Sequence, residues 1–197
     1  MERYRYLREY LAALPDGLSS HPECASKATL LRSSLEGHED AEVDDLRPEL
    51  LELYRNPPPA TVWVPAVKVN AILHVIIDLY YPRREDVIEW ARRRTLRMRD
   101  NPIYARILRV TSVYALFRIS QQLDRLFQRG THIQTHLGKG HARFELTHPP
   151  YLVSPINQVA NVGMFEAMVE ITGGADARCE MTGSSPTGAT FEMTWTD

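Results

Sequence analysis

Apolar residues recur every three or four positions through most of the first 130 residues and at alternate positions in much of the remainder. This pattern predicts a helical first part and a strand-rich last part. A helix is expected over 3–14, stopped by Pro15-Asp16-Gly17, and then a short element over 27–35 of undecided type. Another should begin near Asp44 or Asp45, with carboxylates at the positive end of its dipole, and stop at Asn56-Pro57-Pro58-Pro59. Val67, Ala71, Ile72, Val75, Ile76 and Leu79 mark the next, which Pro82 ends. A helix over 84–99 places Val87, Ile88, Ala91, Thr95 and Met98 on one side. A further one, capped by Asn101 with Pro102 in its first turn, runs through Ile103, Ile107, Val110, Tyr114, Ile119, Leu123, Leu126 and Phe127 to Gly130.

Beyond Gly130 the alternation over 131–137 and 142–146 predicts two strands joined at Gly138-Lys139-Gly140. A helix over 157–172, closed by Gly173-Gly174, and strands over 177–182 and 189–195 complete a β-β-α-β-β order. The expected fold is α+β in two layers: a four-stranded antiparallel sheet in the C-terminal third, packed against several N-terminal helices. Residues 1–43 read as an N-terminal extension of a helix and an acidic loop, and 44–197 as a single α/β binding domain.

Composition narrows the class. The 197 residues are 44% hydrophobic and 24% charged, which fits an ordinary globular chain and not a disordered or fibrous one. The formal charge of −2 gives no general reason to expect nucleic acid. The most apolar stretch, 62–81, is interrupted by Pro65, Lys68, Asn70, His74 and Asp78, so it is expected to be a buried helix and no membrane span. Arginines among the first ten residues exclude a signal peptide of ordinary form, and Cys24 and Cys179 suit a reducing compartment, so a cytoplasmic location is expected.

Local charge is uneven. Residues 36–52 hold eight acids and one arginine, whereas 83–109 hold nine arginines, four acids and no lysine. Arginine suits bidentate recognition of carboxylates, although a solvated helix face is the ordinary use of such a run. Arg84, Arg93, Arg94 and Arg97, with Trp90 as an anchor, are the candidate residues for an acidic protein partner. The acidic stretch offers an internal counter-charge.

Other constellations carry less. His132 and His136 share a strand face with His141 across the turn, but four residues along a strand separate them by about 13 Å, too far for one ion. Asn70, His74 and Asp78 lie four apart on the most apolar helix. No nucleophile accompanies them, and the stripe is expected to face water or a subunit partner. No metal, cofactor or catalytic residue is expected.

Leu79-Tyr80-Tyr81-Pro82, Leu123-Asp124-Arg125-Leu126-Phe127, Gly163, Gly173-Gly174 and the closing run 189–195 together resemble a family of uncharacterised proteins with many paralogues in myxobacteria. The likeness spans 46–195. That family is similar to a broader group holding 4-vinyl reductase domains, haem nitric-oxide sensors and TRAPP vesicle-tethering subunits. The resemblance implies a binding module, often dimeric, with a pocket or groove between helices and sheet and without catalytic residues. Haem is not implied here, because Tyr114-Ala115-Leu116-Phe117-Arg118 lacks the serine of the Tyr-x-Ser-x-Arg propionate clamp. Lipidation is not implied either: Cys24 lies outside the likeness and Cys179 on an expected strand.

The chain is therefore expected to be a non-enzymatic binding or scaffold module in bacterial signalling or assembly, recognising an acidic protein, with homodimerisation allowed. The alternative is a small-molecule or lipid sensor with an apolar cavity between helices and sheet, lined by Tyr114, Phe117 and Phe165. Nucleic-acid binding is disfavoured by the acidity of the rest of the chain.

Overall fold

The computed structural model describes residues 3–100 and 112–196. Helices α1 (Arg5–Ala13), α2 (Ala28–Leu35), α3 (Pro48–Arg55), α4 (Ala66–Tyr80) and α5 (Arg84–Arg97) make up most of the first half. α3 starts later than the acids implied, at Pro48, whose ring presets the first-turn backbone. Asp44 and Asp45 instead pair with Arg55 and Arg3. In α5, Glu85 and Asp86 occupy the first turn and Arg94 and Arg97 the last, the arrangement the helix dipole favours.

The helix expected over 102–127 falls partly outside the described residues. Its remainder is two helices, α6 (Val113–Arg118) and α7 (Ser120–Phe127), which meet at Ile119. Ser120 holds the break: its Oγ donates back to the Phe117 carbonyl at 2.8 Å and also bonds Thr135 Oγ1 on β4 at 2.8 Å.

Three short strands, β1 (Ala25–Lys27), β2 (Trp63–Pro65) and β3 (Gln128–Arg129), form a small antiparallel sheet ordered β2-β1-β3. Segments of two or three residues are too short to show alternation, and the sequence pattern misses them. The main sheet has the expected topology. Strands β4 (His132–Gly138), β5 (His141–Thr147), β6 (Ala175–Ser185) and β7 (Gly188–Thr196) pair antiparallel in the order β4-β5-β7-β6. Gly140 adopts φ +68° in the β4–β5 turn, a conformation costly for other residues. Helix α8 (Pro155–Ile171), capped by Ser154 Oγ, which accepts from Asn157 N, crosses the sheet.

Two apolar clusters form the interior. Tyr4, Leu7, Tyr10, Leu31, Leu50 and Ile72 belong to the first, built around α4, so part of 1–43 packs into it. The second lies between the sheet and α8, where alternate residues of β5 and β7 (Phe144 and Phe191 among them) face inward. Phe165 of α8 stacks on Phe144 with centroids 4.1 Å apart. The surface between the clusters is where α4, α5, α7, α8 and both sheets converge.

The Asn70–His74–Asp78 stripe does not face water as expected. Asp78 accepts from the backbone amides of Tyr6 and Leu7 at 2.9 and 3.0 Å, capping α1, which has no side-chain cap of its own. Asn70 Nδ2 donates to the Leu152 carbonyl at 2.7 Å. His74, fully buried, donates from Nδ1 to the Asn70 carbonyl, so its neutral ring accepts at Nε2 from Ser154 Oγ at 2.7 Å. The stripe joins α4 to α1 and to the start of α8.

Candidate functional site

A cavity of about 210 Å³ lies between the two halves, walled by residues from α4, α5, α7, α8 and both sheets. Its surface is mainly apolar, aliphatic, thioether and aromatic: Leu73, Leu123, Ile133, Met164, Phe165 and Met168 are representative. It lies where the apolar residues of α7 and α8 meet the β4–β5–β7 face, and α5 borders it on one side. An apolar space of this size is a ligand site by default when a few polar groups also converge on it.

The wall also carries polar side chains, Asn70, Arg94, Thr95, Asp124, Gln128 and Asn161 among them. Trp90, Arg94 and Met98 succeed one another every four residues along α5 and its closing turn, so one helix face brings all three to the wall. Trp90 is 3% exposed and stacks on Tyr81 at a centroid distance of 5.3 Å. Its indole Nε1 is buried without a hydrogen-bond partner among the described residues. The Arg94 guanidinium lies 5.0 Å over the Trp90 ring and donates from Nη1 to Ser34 Oγ at 2.7 Å. On α7, Asp124 also reaches the wall, accepting from Thr131 Oγ1 at 3.2 Å. Burial pushes the Asp124 carboxyl up from the usual range, outweighing that hydrogen bond and the nearby His132 and Arg125.

This placement corrects several expectations. Trp90 is not a surface anchor, because its ring is enclosed, and Arg94 points inward with it. The remaining partner candidates stay outside: Arg84 and Arg93 are exposed, and Arg93 lies 3.5 Å from Glu89. Arg97 faces Glu36 at 3.7 Å, a contact between the basic and acidic stretches, and Arg92 pairs with Glu170 at 2.6 Å. Of the three expected cavity residues, Phe165 lines the cavity. Phe117 is buried against Phe144 and Trp195 and, with Tyr114, borders a separate shallow groove beside β4. Tyr114 is 53% exposed because it lies on the outer side of the short α6. The four-residue spacing of Trp90, Arg94 and Met98 was the available sequence signal for an inward-facing set. The histidines of β4 and β5 build no metal site: no group of three or more metal-ligating side chains occurs among the described residues. Among those residues, no helix is long and apolar enough to cross a membrane.

No protein-family model matches the chain, and no curated protein matches it by sequence. Its fold is similar to that of H-NOX domains. A mutant of T. tengcongensis H-NOX superposes with a TM-score of 0.57 at 12% identity, covering 87% of this chain and 98% of that one. An unliganded Fe(II) H-NOX protein mutant from K. algicida gives 0.58 at 9% identity, covering 87% and 97%. An oxygen-binding H-NOX domain related to soluble guanylate cyclases gives 0.56 at 10% identity, covering 86% and 92%. Identities this low establish a shared fold.

The fold therefore raises haem, and the described residues do not fit it. Haem iron is held by histidine, cysteine or tyrosine, or by methionine opposite histidine. No histidine, cysteine or tyrosine is among the described wall residues, and the sequence has neither histidine nor cysteine between His74 and His132. Both ring nitrogens of His74 are already engaged within the first apolar cluster. The cavity is also below the roughly 300–1,000 Å³ of pockets that enclose drug-sized ligands.

Proposed function

We propose that this chain is a non-enzymatic sensor domain that takes a small, largely apolar molecule into the cavity between its helices and its sheet. The observation that carries this reading is a mainly apolar cavity wall drawn from α4, α5, α7, α8 and both sheets, with polar residues such as Arg94, Asp124, Asn70 and Asn161 set into it. A ligand there touches both apolar clusters at once, so its binding free energy adds to the stability of their packing. The H-NOX neighbours, one of them described as oxygen-binding, support a ligand-binding use of this architecture.

Signal output would pass through α5. One side of this helix borders the cavity, whereas Arg84 and Arg93 are exposed on it. An acidic protein surface reading those arginines is the output we propose; the ion pairs of Arg92 and Arg97 within the chain leave a smaller basic patch than the sequence implies.

Native mass spectrometry of the purified chain, and then thermal denaturation with a panel of small apolar compounds, tests the reading. A co-purifying small molecule, or a saturable rise in Tm at one ligand per chain, is expected. A chain that carries nothing and is stabilised by no member of the panel would not be a sensor of this kind.

A further inference from the structure

We infer that the ligand of this cavity is a small neutral amphipathic molecule whose polar head both donates and accepts hydrogen bonds, as a secondary amide does, and that Ser26, Gln128 and Asn161 hold that head. The inference rests on the sensor reading above and names the ligand class.

The first ground is which polar atoms on the wall remain uncommitted. Ser26 and Gln128 stand opposite each other on β1 and β3, so both turn to the same face of the small sheet, and that face borders the cavity. Asn161 enters from α8, one turn beyond Asn157. None of these three side chains has a hydrogen-bond partner among the described residues, and none is sealed from contact as the Trp90 nitrogen is. Ser26 is only 4% exposed, so its hydroxyl opens on the cavity and not on bulk water. A buried hydroxyl without a partner is costly, and a ligand supplies one.

The other polar side chains of the wall are engaged within the protein. Asn157 donates to Asn70 Oδ1 at 3.5 Å, Asn70 to the Leu152 carbonyl, Thr95 to the Ala91 carbonyl and Thr131 to Asp124.

The second ground is charge. Two charged side chains reach the described wall, and both have partners: Arg94 donates to Ser34 Oγ at 2.7 Å and lies over the Trp90 ring, and Asp124 accepts from Thr131. An ion entering the cavity would lose its hydration without meeting an uncommitted counter-charge, which costs far more than desolvating a neutral head. The uncommitted groups are one hydroxyl and two carboxamides, each able to donate and to accept. A neutral head that does both is their complement.

Size sets the rest. A cavity of about 150 Å³ admits benzene, so about 210 Å³ suits a molecule of roughly eight to ten non-hydrogen atoms, its alkyl part among Leu73, Met164, Phe165 and Met168. N-Pentylacetamide is a suitable probe. Pentyl acetate has nearly the same shape but no donor, and heptanoate carries a charge on a body of similar size.

Isothermal titration of the full chain with the three compounds tests the proposal. N-Pentylacetamide is expected to bind one per chain, pentyl acetate about tenfold more weakly because an acceptor on the wall loses its donor, and heptanoate more weakly still. Asn161→Leu and Ser26→Ala should each weaken the amide by about threefold to tenfold, and together should bring it to the level of the ester. Equal affinities of amide and ester for the wild-type chain would overturn the polar anchor and leave an apolar sensor standing, a comparison independent of how well either variant folds. Tightest binding of heptanoate would overturn it in favour of an acid ligand. Failure of all three probes would overturn it too, and together with an unresponsive compound panel would remove the sensor reading as well.

Discussion

The imidazole of His74 lies nearly flat on the phenol ring of Tyr10, with centroids 4.4 Å apart and planes inclined by 16°. His74 is completely buried there, and burial pushes its pKa down from 6.5 to about 4. The buried His38 and His148 are pushed down in the same direction. Each of these histidines is harder to protonate in the folded chain than in the unfolded one. The unfolded state therefore binds more protons as pH falls below 6.5, so stability is complete above 6.5 and is lost towards pH 4. His74 alone contributes about 3 kcal/mol across that window. Asp78 and Asp124, raised by burial, oppose the loss at its acid end. Urea denaturation between about pH 7.5 and 4.5 should show falling stability, with a shallower slope in His74→Gln. An unchanged slope would dismiss His74 as the source.

Gly163 marks the closest approach of α5 and α8. A Cβ at that position would lie 2.0 Å from the Ile88 carbonyl oxygen and 2.9 Å from the Arg92 amide, both backbone atoms that cannot swing aside. Gly163→Ala should therefore cost about 2–3 kcal/mol in urea unfolding, despite alanine's better helix propensity. Because α5 also walls the cavity, ligand-dependent stabilisation should weaken in the same variant. A neutral or stabilising result would contradict this crossing geometry.

Asp78 holds the start of α1 from a position 72 residues away in sequence. Replacing it with alanine removes the acceptor for two first-turn amides, a loss of about 1–2 kcal/mol by analogy with helix caps. Hydrogen exchange should show faster exchange over Arg5–Ala13 with little change in the main sheet. Global acceleration instead would mean that α1 unfolds only with the whole chain.

Arg92 donates to one oxygen of Glu170 from Nε at 2.9 Å and from Nη2 at 2.6 Å, joining α5 to α8 beside the Gly163 crossing. Both side chains remain about one-third exposed, so solvent screens the pair. A double-mutant cycle with Arg92→Met and Glu170→Gln should return a coupling of about 0.5–1 kcal/mol, reduced in about 1 M salt. A coupling near zero would make the contact incidental to the packing of the two helices.

Several features were legible because their cause is local. The sidedness of β5 and β7 is written in alternate residues, and Pro82 and Gly173 end helices through their own backbone preferences, whereas the helix expected to reach Gly130 stops at Phe127, ahead of β3. The split at Ile119 was less visible: Ser120 and its bond to Thr135 form only once α7 has docked on β4. The arginine run is only partly legible, because spacing assigns a residue to a helix face but does not say what covers that face. Trp90 became interior and Arg94 half-buried on the cavity wall once the elements around α5 had packed.

The order of residues was enough to dictate an α+β chain with a C-terminal β-β-α-β-β sheet and helices before it, because period and punctuation act over ten or fifteen residues. Packing in three dimensions was needed for Asp78 to cap α1, for His74 to meet Ser154 eighty residues away, and for α5 to turn an indole and a guanidinium into a cavity. Those outcomes depend on burial and on partners distant in the chain, and both exist only after the two apolar clusters have packed.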